Sequence, residues 1–148
     1  MNAIRVNKVS VPDQQKYQDS VFPLVYMGQS TEGIVSITDW LKKHKNQLEE
    51  DLAAHGAILF RDLEISNDNE FDRFIRAFDW PSFTYEESLS NAVRQNRTDL
   101  VFTANEAPPS VSIFLHHEMA QTPIYPSKLF FFCEQASESL SLIHISEP

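Results

Sequence analysis

The sequence predicts an α+β chain, with a barrel-like sheet and helices flanking it towards the N-terminus. Three observations predict it. Two capped amphipathic helical patterns fall between Ser36 and Trp80. The strongest strand patterns lie behind them, at Val111–His117 and Lys128–Cys133. Hydrophobic residues make up 42% of the 148 positions, with 11 Phe, so the chain has the material for a core and is not of the disordered class.

Taken in order, residues 1–35 hold short extended candidates at Ile4–Val6 and Val21–Tyr26, punctuated by Pro12, Pro23, Gly28 and Gly33. Ser36 to Asp39 has the form of a capping box, and the apolar Ile37, Trp40, Leu41, Leu48 and Leu52 recur at helical spacing. Gly56 is a natural stop because glycine tolerates the left-handed conformation that ends helices. Ala57–Phe60 then reads as a short buried strand. Asn67 can cap a second helix, with Glu70 three residues on. Phe71, Phe74, Ile75 and Phe78 form its apolar stripe, read as core, and Trp80-Pro81 ends it. Residues 82–110 are polar and loop-rich, with a strand candidate at Val101–Thr103 and a break at Pro108-Pro109. Phe130, Phe131 and Phe132 are too apolar to leave both faces of their strand exposed.

Charge and cysteine content exclude several classes. A net charge of -9 with 12 Lys+Arg gives no basic face for nucleic acid. One cysteine, Cys133, excludes a disulfide framework and any cysteine-based zinc or iron–sulfur centre. No apolar run is long enough to span a membrane, and Met1 to Tyr17 carries no secretory apolar region. The expectation is a soluble cytoplasmic chain with neither a membrane nor a nucleic-acid partner. Glycine is scarce, at three, with none after residue 56. A complete β-rich domain usually needs more of them at turns and bulges.

Of five His, His44 reads as a solvated mid-helix side chain, and His55 as a cation at a helix C-terminus. His116-His117-Glu118 is different. On a strand, His116 and Glu118 project to one face and His117 to the other; a one-residue register slip would exchange the two His. One imidazole and one carboxylate on one side supply two of the three ligands of a facial triad, an oxygen- and nitrogen-donor site suited to non-haem Fe(II). By itself the spacing is weak, since composition alone yields such pairs often among five His and 21 acids.

Context adds specificity. Phe114-Leu115-His116-His117-Glu118-Met119-Ala120, followed by Pro123-Ile124-Tyr125-Pro126-Ser127-Lys128-Leu129-Phe130-Phe131-Phe132-Cys133, resembles the taurine dioxygenase-like (TauD/TfdA-like) Fe(II)/2-oxoglutarate dioxygenases. It is most similar to members with H-x-E in place of H-x-D, such as clavaminate synthase-like enzymes. His55 to Leu63 and Thr103-Ala104-Asn105-Glu106 extend the resemblance, which covers Ser36 to Ser137.

The resemblance implies an incomplete double-stranded β-helix (jelly roll) over residues 1–139, with flanking N-terminal helices. It implies His116 and Glu118 as metal ligands, Fe(II) as cofactor, and 2-oxoglutarate and O₂ as co-substrates. The implied reaction is oxidation, chiefly hydroxylation, of a small amino-acid-like metabolite, free or tethered to a carrier protein. Ser112, four residues before His116, is a candidate substrate contact, though an ordinary polar strand residue is the simpler reading. The family's distal His and its 2-oxoglutarate-binding Arg have no counterpart downstream: the last Arg is Arg97, and the His after His117 is His144. Residues 140–148 resemble a translated sequencing adapter and are expected to be a non-native tail. The chain as written is therefore expected to be an inactive fragment of an active enzyme. The rival from another class is a non-catalytic binding domain whose H-x-E pair is incidental; a cupin with a different metal is a further rival, though its first motif generally uses more His.

Overall fold

The computed structural model describes residues 4–29, 33–83, 94–104, 119 and 123–134. Within them the chain builds β1 (Arg5–Val9), β2 (Gln15–Tyr17), β3 (Ser20–Phe22), β4 (Leu24–Gln29), α1 (Ile34–His55), β5 (Ile58–Arg61) and α2 (Asp68–Arg76). β1, β4 and β5 form one sheet in the order β1-β4-β5, while β2 and β3 form a separate hairpin. β1 runs antiparallel to β4, pairing Arg5 with Gln29 and Val9 with Val25. β5 runs parallel to β4, pairing Leu24 with Ile58 and Met27 with Arg61. Parallel neighbours need a long crossover, and α1 is that crossover. The arrangement is thus mixed α/β, with the helices interleaved among the strands.

The expected strand Val21–Tyr26 is two strands. A cis Phe22-Pro23 bond separates β3 from β4. Proline has no N–H to give a ladder, so the hairpin ends there and β4 begins in a different sheet. Leu24, Val25 and Tyr26 are buried in succession, as befits a central strand shielded on both faces.

α1 begins two residues before the expected capping box. Gly33 is its N-cap, at φ 62 and ψ -156, a region open essentially to glycine. Ser36 does not cap: its hydroxyl donates to the Gly33 carbonyl from inside the first turn. The apolar stripe is as expected, with Ile37, Leu41 and Leu48 almost fully buried. Gly56 ends the helix in the left-handed conformation, its N–H donating to Leu52 O at 2.8 Å. His55 is tied more closely than its sequence neighbours suggest. Its Nδ1 lies 2.8 Å from Val21 O and 3.0 Å from Ser20 Oγ, joining the end of α1 to β3.

β5 is less buried than expected: among the described residues it lies at the edge of the sheet, its residues alternate half-buried and exposed, and Leu59 is 40% exposed. α2 is capped by Asn67, whose Oδ1 accepts from Glu70 N at 3.0 Å. Glu70 reaches back one residue further than a simple box, to Ser66 N and Ser66 Oγ, each at 2.9 Å. The helix ends at Arg76, short of Trp80-Pro81, and Phe78 enters the core from the following turn.

The core joins Leu24 and Tyr26 of β4, Ile37, Leu41 and Leu48 of α1, and Phe71 and Phe74 of α2. One carboxylate sits inside this layer. Asp51 lies three residues after Leu48, on the buried side of α1, and is 7% exposed. It accepts from Tyr26 Oη, Lys8 Nζ and Gln47 Nε2, so β1, β4 and α1 meet on one side chain. Burial alone would push its carboxyl up. The hydrogen bonds from Lys8, Tyr26 and Gln47 and the Lys8 charge outweigh burial and hold it below the ordinary 3.8. Burial and the same carboxylate push the Tyr26 hydroxyl well above its usual range.

Two outcomes follow. A carboxylate lowered by folding stabilises above its ordinary pKa, and that contribution is lost as pH falls through the folded value. Chemical denaturation between pH 7 and pH 3 should show Asp51→Asn costing about 2 kcal/mol at pH 7 and flattening the acid decline. A Cβ added at Gly28 would collide with Leu63 Cδ2. Gly28→Ala should therefore cost about 1–3 kcal/mol by overpacking, read as a lowered denaturation midpoint.

Candidate metal centre

His116, Glu118, His117 and Ser112, with the expected strand Val111–His117, lie outside the described residues. What the structure describes is the chain on either side of them. On the N-terminal side, residues 94–104 form a tight ribbon rather than the expected strand. Asn96 bridges Phe102, Arg97 N donates to Val101 O at 2.8 Å, and Thr103 N to Gln95 O at 2.9 Å. This ribbon is docked on α2. Val101 is buried in the core, and Arg97 Nε pairs with Asp68 Oδ2 at 2.9 Å.

Asp72 is the second carboxylate that sequence reasoning missed. It is 8% exposed, receives Arg76 from its own helix, and accepts from Thr98 Oγ1 in the ribbon. Thr98 Oγ1 in turn accepts from Val101 N at 3.1 Å. Burial would raise the Asp72 carboxyl, but Arg76 and Thr98 together hold it below its usual range. The signal was present in each case: both acids sit beside or on the apolar stripe of an amphipathic helix, where a carboxylate needs partners.

On the C-terminal side, Met119, directly after Glu118, is 3% exposed with φ 58. Residues 128–133 then alternate. Lys128, Phe130 and Phe132 are half-buried, while Leu129, Phe131 and Cys133 are exposed. The period of a strand is there, but no ladder is assigned to it. Phe131 is 88% exposed while Phe130 and Phe132 are half-buried, so the run has one covered face, in line with an apolar run that does not leave both faces exposed. The inner face is well held. Phe132 stacks on Phe71 at 5.1 Å, and Phe130 meets Phe78 at 5.3 Å and Trp80 at 5.9 Å. Lys128 Nζ lies 4.6 Å above the Trp80 ring and 3.5 Å from Glu49 of α1.

Residues 94–104 and 128–133, on either side of the H-x-E triplet, are therefore fastened to α2 and the turn that follows it. The ribbon is held by Asp72, Asp68 and Val101, and the extended segment by Phe71, Phe74 and Phe78. Among the described residues no group of three or more His, Cys, Asp or Glu is placed to hold a metal ion. His44 and His55 have local partners instead. His44 Nδ1 is 2.8 Å from Trp40 O, and its ring stacks on Trp40. Phe130→Ala should release the extended segment, raising amide exchange across 128–133 and costing about 2–3 kcal/mol, while the β4 amides keep their protection.

The chain is 35% identical over 130 residues to a clavaminate synthase-like protein of Arabidopsis thaliana, covering 84% of this chain and 39% of that protein. It is 29% identical over 102 residues to the dapdiamide synthesis protein DdaC of Enterobacter agglomerans, covering 69% of this chain and 30% of that protein. It thus spans about a third to two fifths of the length of the curated relatives it matches. None of its described helices is long and apolar enough to cross a membrane. The model of the taurine catabolism dioxygenase TauD, TfdA family matches residues 20–140, through the ribbon, the H-x-E triplet and the aromatic segment alike, and the chain belongs to that family.

Proposed function

We propose that this chain is the N-terminal part, residues 1–139, of an Fe(II)/2-oxoglutarate-dependent dioxygenase, and that His116 and Glu118 are two of its three metal ligands. The observation that carries the reading is the family match across residues 20–140, which includes the H-x-E triplet. The donor set fits the metal: an imidazole and a carboxylate two residues apart, with no thiolate, is an oxygen- and nitrogen-donor pair suited to Fe(II). The bound metal would supply O₂-dependent oxidation coupled to conversion of 2-oxoglutarate to succinate.

The part played by this chain's residues is one of holding. His116, as the neutral imidazole, and Glu118, as the carboxylate, would each present a lone pair to the cation. The Asp72–Thr98 bond and the Phe130 and Phe132 contacts limit how far the segments before and after the triplet can move. That matters because a small misplacement of liganding or substrate-positioning groups is costly to rate. The jelly roll expected of the family would be completed by chain outside this sequence. Residues 140–148 are read as a non-native tail, and the family match stops at residue 140.

For the substrate we propose a small amino-acid-like metabolite, free or carrier-tethered, hydroxylated at carbon. One relative's name refers to clavaminate synthase and the other's to dapdiamide synthesis, which supports a small-metabolite substrate. Ser112 remains a candidate contact to it. A soluble cytoplasmic enzyme agrees with such a substrate.

The test uses the native gene, read across codon 139, and the full-length protein expressed from it. The expected result is a downstream His and Arg in frame, and succinate formed in proportion to O₂ consumed. His116→Ala and Glu118→Ala should each weaken Fe(II) binding by more than the roughly 10–100-fold typical of losing an outer-shell partner. The 148-residue chain alone should make no succinate, having two ligands and no Arg after Arg97. Iron affinity unchanged in both variants, or succinate from the short chain, would sink the reading.

A further inference from the structure

Among the described residues, six other than glycine hold a left-handed backbone. Five of them, Asp13, Gln18, Asp62, Glu64 and Asp79, are polar and exposed, as is usual for turns at a surface. The sixth is Met119. It sits in a turn at φ 58, is apolar, and is 3% exposed. A long side chain disfavours this region, because Cβ is brought close to the following carbonyl oxygen. Such a conformation persists only where the surroundings over-determine it. The main core does not account for it: among the described residues, Met119 is not part of the cluster that packs α1 and α2 on the sheet. Its place in the chain is the second observation. Met119 directly follows Glu118. An extended strand cannot run through a residue at this φ, so the H-x-E pattern is cut off directly behind its carboxylate.

We propose that Met119 is a positioning residue for the metal site: a left-handed turn, locked by a buried side chain, that fixes how the chain leaves Glu118. The inference rests on the reading of Glu118 as a metal ligand. The backbone and the side chain of Met119 have separate tasks. Its φ sets the angle between the peptide unit shared with Glu118 and the chain beyond. Its buried thioether keeps that angle from relaxing into the commoner regions. A ligand whose own backbone can swing must be ordered when the cation binds, and that ordering weakens affinity. A turn already fixed removes the penalty and holds the donor to a narrow range of approach. Methionine suits both tasks. Its unbranched chain fills irregular space, and it has no second heavy atom on Cβ to oppose a positive φ.

The test measures anaerobic Fe(II) affinity in the full-length protein encoded by the native gene, with substitutions that separate backbone from packing. Met119→Leu keeps an unbranched Cβ and a similar apolar volume, so affinity should stay within about threefold of the parent. Met119→Ile keeps the volume, but its branched Cβ opposes a positive φ, and affinity should fall by about tenfold or more. Met119→Gly accepts the turn but removes the anchor, and should lose affinity to a similar degree. Co(II) bound in place of Fe(II) gives a visible spectrum that reports ligand geometry. That spectrum should change in the Ile and Gly variants and be restored in the Leu variant, which a merely structural role would not produce. Circular dichroism checks that each protein is folded; should the Ile variant not fold, the Gly and Leu pair decides. Parent-like affinity in the Ile and Gly variants, a Leu variant as weak as they are, or a Co(II) spectrum unmoved in all three would overturn the proposal. His116→Ala is the separate control. Iron affinity kept in that variant would sink the metal reading itself, and this inference with it.

Discussion

The packing around Phe74 is the contact on which the other elements depend. Its ring meets Phe60 of β5 at 5.3 Å, Phe78 at 5.6 Å and Phe130 at 6.4 Å. Phe60 in turn stacks on Tyr26 at 5.8 Å, so the series runs from the central strand, through α2, to the extended segment after the candidate ligands. Aromatic pairs of this kind add about 0.5–1.5 kcal/mol each beyond the area they bury. More important here is that they are shared. The same ring that seats α2 on the sheet also receives the segment at 128–133, so the position of that segment is inherited from the core.

Two buried carboxylates complete what the aromatic rings begin. Hydrophobic contacts are non-directional and leave elements free to slide. Asp51 removes that freedom between β1, β4 and α1, and Asp72 removes it between α2 and the 94–104 ribbon. Each carboxylate has several donors, which is why it can remain charged in the core. The two acids therefore set register where the apolar residues supply cohesion.

Much of this was legible from residue order. The stripe Ile37–Leu41–Leu48, the Asn67 cap and the Gly56 stop are local patterns, and local physics decides them. Other features were misread for physical reasons. Ser36 looks like a cap, yet Gly33 takes a conformation that Ser could not, so the helix starts earlier. Val21–Tyr26 looks continuous, yet a proline without an N–H divides it between two sheets. That Lys128–Cys133 is extended was legible, but which of Phe130, Phe131 and Phe132 is left exposed is not a property of that segment.

The sequence by itself determined the two helices, the Asn67 cap, the Gly56 stop and the family. Those depend on residues close in the chain or on motifs a few positions long. Only the tertiary structure decided that β4 and β5 run parallel across α1 and that Asp51 and Asp72 are buried staples. Each of these joins groups far apart in the chain or buried by elements distant in it. Which partner a side chain finds across such a gap follows from packing the whole core at once, and no local pattern encodes it.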